Sequence, residues 1–371
     1  MSSDMSVEKL ARELVMDFHD SHVFPFPASR ASQIRAAHAD LFTDLQALVT
    51  LSRTSRDAQL LLLFGIGLEK DQKEYVNIRQ HELIKTITKE YGSYLQFLCH
   101  IKGIDISTLL DACANVLSGT EVVYRSLLQK TSITHENDVG RIMSATTATL
   151  ADSASVVHRV LQDIPTSNYI RFSFTEQNII FLSPICVPSD ILLTSANVID
   201  SHFMMSGLYH ELGHALSLTS IAASNSLYAR IEINDISEAI AFLMQNVHEQ
   251  SCPQSDLIKW YRLFNLRRCI KGMLLEYASE SCDMTHSEFS KAMQEAVFMT
   301  LDEQSAVALS SSYYMTLDLL LAEFLAAQFQ VKTVADVVCV SEKVMKNGGK
   351  ISIGQIGFDV FNVKNIVQRF S

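Results

Sequence analysis

Residues 201–220 read SHFMMSGLYHELGHALSLTS, with His210, Glu211 and His214 at their centre. Phe203, Met204, Met205, Leu208, Leu212, Ala215 and Leu216 make the segment apolar, and no proline interrupts it. That pattern predicts a buried helix in a mainly α protein. On a helix, residues four apart lie on one face, a turn apart. Two imidazoles so placed can share one zinc ion, and the adjoining Glu211 can take a proton from a water that the metal activates. Burying two histidines and a glutamate with no partner is costly. A cation between them removes the difficulty.

A catalytic zinc site needs a third protein ligand and one open position. Glu238, in INDISEAIAFLMQ, is the best-framed candidate. Ile236, Ile240 and Leu243 give its segment helical periodicity, so a second helix packed on the first brings this carboxylate to the metal. Asp235 lies one turn before Glu238 on the same face, where it suits an acceptor for an imidazole N–H. Glu232 and Glu249 compete for the ligand role without the same framing. The remaining histidines, His202 and His248 among them, show no ligand spacing with one another beyond chance.

Proline is absent between Pro27 and Pro165 and after Pro253. Both stretches read as helical. In residues 81–100, HELIKTITKEYGSYLQFLCH, one stripe holds Leu83, Ile84, Ile87, Tyr91, Tyr94, Leu95 and Leu98. Residues 257–298 and 317–329 have the same periodicity. Residues 168–188, NYIRFSFTEQNIIFLSPICVP, differ. Ile170, Phe172 and Phe174 alternate with polar neighbours, residues 176–178 can turn the chain, and residues 179–182 can return as a second strand. A small β-sheet beside the metal helix is expected, with an edge that an extended peptide can join. The chain divides by pattern into an N-terminal helical region, 1–164, and a zinc-binding region, 165–371. No linker separates them.

Composition narrows the function. Hydrophobic residues make up 48% and charged residues 19%, which excludes a disordered chain. The net charge of -11 argues against a nucleic-acid partner. The longest apolar run, residues 60–68, falls far short of the ~20 residues that span a bilayer. No signal peptide is visible at the N-terminus. Seven cysteines without a Cys-x-x-Cys pair favour reduced thiols and a cytoplasmic location.

His210-Glu211-Leu212-Gly213-His214-Ala215 followed by Asp235-Ile236-Ser237-Glu238 resembles the thimet oligopeptidase and oligoendopeptidase F family of zinc peptidases. Ser312-Tyr313-Tyr314-Met315-Thr316, with Ala322-Glu323 downstream, is similar to that family's tyrosine-rich segment. Asn347-Gly348-Gly349-Lys350 and Gly357-Phe358-Asp359 are similar to its closing pattern. The resemblance covers about residues 165–371. It implies a helical two-lobed fold with a central cleft, one Zn2+ held by His210, His214 and Glu238, and Tyr313 or Tyr314 as donors to the reaction's oxyanion. Leu309 and Thr316 stand where the family has tyrosines, and His286 is a remote substitute for its histidine donor. Loss of one such donor costs about 2.7–4 kcal/mol of transition-state stabilisation.

The sequence therefore predicts a zinc-dependent metallopeptidase of short peptides with Glu211 as general base. The alternative is a metal-dependent hydrolase or lyase acting on a small molecule. Imidazole and carboxylate ligands also suit iron.

Overall fold

The computed structural model of the chain describes residues 45–55, 58, 83–131, 133, 151–177, 179–186, 190–220, 234–250, 252, 255–279, 284–301, 313–346 and 361–370. It is mainly helical with a small sheet. The chain forms two compact units, residues 1–104 with 184–187, and residues 105–183 with 188–371. No helix among the described residues is long and apolar enough to cross a membrane.

In the first unit, α1 (Leu45–Leu51) precedes a helical stretch at residues 83–91 and α2 (Tyr94–Lys102). The stripe read across residues 81–100 is thus split. Gly92 adopts φ 89, a left-handed conformation open to glycine, and the Ser93 hydroxyl accepts the Gln96 N–H at 2.9 Å to start α2. Ile87, Leu95 and Leu98 are buried, whereas Ile84 is 37% exposed and leaves the stripe.

The second unit begins with α3 (Ile106–Gly119), capped by Asp105, and α4 (Glu121–Thr131). Within this unit α3 and α4 pack on α8 (Ser255–Ser279). Arg267 of α8 fixes that packing. Its guanidinium donates to the Leu117 carbonyl at 2.6 Å and to Thr120 Oγ1 at 2.8 Å, which satisfies the end of α3.

Strand β1 (Ala151–Asp152) leads into α5 (Ser153–Leu161). The sheet follows: β2 (Ile170–Thr175), β3 (Ile180–Cys186) and β4 (Asp190–Ala196) in the order β2–β4–β3. The expected strands exist, but they are not paired as a hairpin. β4 lies between them, parallel to β2, with Ile170 opposite Ile191 and Thr175 opposite Ala196. The Arg171 guanidinium holds the Asp190 carboxylate through two bonds of 2.6 and 2.8 Å at one end of that pairing. Such a parallel partnership depends on residues about twenty apart in sequence, beyond the reach of local alternation.

Strand β5 (Val198–Ile199) pairs antiparallel with β1 and delivers the chain to α6 (His202–Ser220). The Ser201 hydroxyl accepts the Met204 N–H at 3.1 Å and caps that helix. Then come α7 (Asn234–Glu249), α8, α9 (His286–Val297), α10 (Tyr313–Ala326), α11 (Val334–Lys346) and α12 (Val363–Phe370). The predicted helical run at 257–298 is therefore two helices, the second opened by a Thr285–Glu288 capping box.

Helix α7 packs against both α6 and α10. Ile236, Ile240, Leu243 and Met244 of α7 are buried, as are Leu317, Leu320, Leu321 and Phe324 of α10. Trp260 and Phe264 of α8 stack at 5.4 Å in the same core. A buried charge is costly unless it is paired, and an ion network near the end of α7 meets that demand. Arg262 of α8 binds Glu249 of α7 at 2.8 Å and Glu323 of α10 at 2.9 Å, and Arg369 of α12 reaches the other Glu323 oxygen at 2.8 Å. Two cations and two anions thus join four helices around the far end of α7.

Candidate metal centre

The two central helices approach closely at Gly213. A Cβ there would lie 2.5 Å from Ala241 Cα and 2.9 Å from the Ile240 carbonyl oxygen, both backbone atoms of α7. Only a residue without a side chain allows this contact. The candidate ligand side chains of α6 therefore meet that of α7 without a spacer.

The structure brings together His210, His214 and Glu238. The Nε2 atoms of His210 and His214 are 3.1 Å apart. Glu238 sets one carboxylate oxygen 3.5 Å from His210 Nε2 and the other 3.5 Å from His214 Nε2. Tetrahedral zinc with bonds of about 2.0–2.1 Å holds its ligand atoms ~3.3 Å apart. The three side chains fit a zinc ion in donor type and spacing.

Ser237 completes the arrangement. Its hydroxyl lies 2.8 Å from His214 Nδ1. A proton on Nδ1 donated to that oxygen leaves the Nε2 lone pair directed at the other two ligands. The sequence assigns such a role to Asp235 and does not single out Ser237. Asp235 is fully buried, not a surface acid, and its carboxylate accepts the Ile236 N–H at 2.9 Å. Ser237 adjoins Glu238 in sequence, and a serine in that position carries no distinctive pattern.

Electrostatics suit ligation. Burial, and then the neighbouring His210, lower the His214 pKa to about 4, so that ring is neutral near pH 7. Burial pushes Glu238 up, but its hydrogen bond to His210 and the two imidazoles outweigh this and leave its carboxyl below the usual value. Glu211 moves the opposite way. Burial raises it first, His210 lowers it, Glu238 raises it, and the Leu182 backbone N–H of β3 lowers it by hydrogen bonding. The net rise makes Glu211 a stronger proton acceptor than an ordinary surface glutamate.

The competitors separate. Glu249 is bound to Arg262 and is not a ligand of this group. Glu232 lies outside the described residues, as do Leu309 and residues 347–350 and 357–359. Tyr313 and Tyr314 open α10, and His286 opens α9, but these side chains and that of Thr316 lie outside the described residues.

No family model matches the chain. No curated protein matches it either. A solved structure described as "BsuCP Crystal Structure" is similar at 12% identity and a TM-score of 0.44, over 100% of this chain and 98% of that one.

Proposed function

We propose that the protein is a zinc-dependent metallopeptidase that hydrolyses short peptides, a divergent and short relative of the thimet oligopeptidase and oligoendopeptidase F family. The convergence of His210, His214 and Glu238 within ligand spacing, with Glu211 beside them, carries this proposal. His210, His214 and Glu238 would hold a zinc ion, which would supply Lewis acidity and lower the pKa of a water to about 7. Glu211 accepts the water's proton and passes it to the leaving amine. Its raised pKa suits both halves of that transfer. The Leu182 N–H fixes the Glu211 carboxylate to β3, which lies at the edge of its sheet. Ile179 and Phe181, 37% and 43% exposed, precede Leu182 in sequence. They offer apolar contact to the side chains of an extended peptide aligned with that edge. Tyr313 and Tyr314 remain our candidates for the oxyanion donors. The free thiols of Cys269 and Cys339 support a cytoplasmic location.

Digestion of a mixed peptide library, read by mass spectrometry, tests the proposal. Zinc-loaded wild type should cleave peptides that Glu211→Gln leaves intact. If the two digests are the same, peptide hydrolysis is not the function. One observation favours a second reading. Leu309 and Thr316 replace tyrosines of the family's donor segment, which suits a metal-dependent hydrolase or lyase for one small molecule. A metabolite screen with the same pair of proteins distinguishes the two.

A further inference from the structure

We propose that His202, His248 and Cys252 form a second metal site, which takes a zinc-class cation and staples the start of α6 to the end of α7. The metal-ligand atoms of these three side chains all lie within 4.8 Å of one another. Their separation in sequence hides this, and the fold overturns the view that these histidines are unrelated. Helices α6 and α7 run antiparallel, so the first residue of α6, His202, meets the last turn of α7, where His248 stands. The two rings stack with centroids 5.8 Å apart. The turn after α7 then folds back, with the Cys252 N–H bonded to the Glu249 carbonyl at 3.2 Å. This buries Cys252, 7% exposed, beside the rings. Tyr209 stacks on the His248 ring at 5.4 Å and fixes its plane. His202 Nδ1 is buried with no hydrogen-bond partner among the described residues.

The donor set selects the cation. One thiol and two imidazoles suit zinc, whereas Mg2+ and Ca2+ require oxygen ligands that these three residues do not offer. Zinc needs ligand atoms roughly 3.3–3.7 Å apart, so movements of about 1 Å close the site. Cys252 loses its proton to solvent when the cation binds, and water fills the fourth position. This ion does not share a substrate with the first site. His202 and His210 are eight residues apart on α6, about 12 Å along its axis. Ions that act together on one substrate sit about 3.5–4 Å apart. A cation here instead fixes the crossing of the same helix pair that carries His210, His214 and Glu238.

Cobalt substitution of the tag-free full chain tests this without any activity measurement. Only a site containing a thiolate gives a near-ultraviolet thiolate-to-cobalt charge-transfer band. Wild type should show that band and bind about two ions per chain by elemental analysis. Cys252→Ser and, independently, His202→Gln should lose the band and about one ion. A His210→Ala/His214→Ala double variant should keep the band while losing the other ion, so failure here is distinct from failure of the proposed peptidase site. Absence of the band in wild type, or its persistence in Cys252→Ser, overturns the proposal. Circular dichroism shows that each variant compared is folded.

Discussion

Gly213→Ala should uncouple the two helices that carry the candidate ligands, α6 and α7. The added methyl would lie 2.5 Å from Ala241 Cα, 2.9 Å from the Ile240 oxygen and 3.0 Å from the Ala241 nitrogen. Carbon atoms in contact prefer about 3.5–4.0 Å, so α6 and α7 must separate by roughly 1 Å. The atoms met are backbone, and no side chain can swing aside. Glu238 then recedes from imidazoles that it approaches at 3.5 Å. Zinc sites tolerate about ±0.2 Å in ligand position. The displacement exceeds that several-fold, and zinc affinity should fall by at least about 10-fold, the lower end of what disturbing a ligand's supports costs. Stability changes less. Overpacking costs about 1–3 kcal/mol, while alanine's helix propensity returns up to about 1 kcal/mol. Gly207→Ala is the matched control, since a Cβ there meets nothing within 4 Å on the same helix. It should stabilise the protein by up to about 1 kcal/mol and leave zinc affinity unchanged. Chelator-competition titration measures the affinity, and urea denaturation the stability. If Gly213→Ala behaves like Gly207→Ala in both, close helix contact does not govern the metal centre.

Ser237→Ala should weaken zinc binding about 10- to 100-fold by releasing His214 Nδ1, with little change in the urea midpoint; unchanged affinity would mean the hydroxyl does not orient the ring. Arg262→Met leaves Glu249 and one oxygen of Glu323 buried without their cation, and should cost about 3–5 kcal/mol in urea unfolding. Arg171→Ala breaks an exposed pair and should cost less than about 1 kcal/mol in the same assay, so similar losses would refute the distinction drawn from burial. The metal-free protein should lose stability as pH falls from about 6.5 to 4. Over that window the unfolded chain takes up a proton that folded His214, lowered to about 4, refuses, which amounts to roughly 3 kcal/mol. Glu238, lowered, acts in the same sense; Glu211, raised, opposes it by stabilising the fold at low pH and losing that contribution as pH rises. Urea midpoints measured in chelator that stay level or rise toward pH 4 would contradict the His214 assignment.

What was legible in the sequence was what lies within a helical turn. His210 and His214 share a face because helices repeat every 3.6 residues, and the apolar positions around Glu238 marked its helix for the same reason. The existence of strands before α6 was equally local. Their pairing was not: β4 reads DILLTSA, too short an apolar run to announce a strand parallel to β2. Gly92 divided a stripe that periodicity alone made continuous, because one left-handed residue ends a helix whatever the hydrophobic pattern beyond it. Ser237, the Arg262 network and the pairing of His202 with His248 were invisible because each depends on contacts between separate helices.

These long-range contacts fall mostly on one element. Helix α7 presents Ser237 and Glu238 near its start, receives Gly213 of α6 against Ala241, and ends at Glu249 in the ion network. A charge network of that burial is weak support for stability, because desolvation consumes much of its attraction. Its geometric demand is stronger. Arg262 binds Glu249 and Glu323 together only when α7, α8 and α10 hold one mutual register, and a slip of one residue moves a carboxylate out of reach of a buried guanidinium. The same slip would carry Glu238 about 1.5 Å along the axis and turn it by ~100°, away from both imidazoles. The buried arginine therefore constrains the candidate metal centre through helix register, although Glu249 and Glu238 are three turns apart on α7.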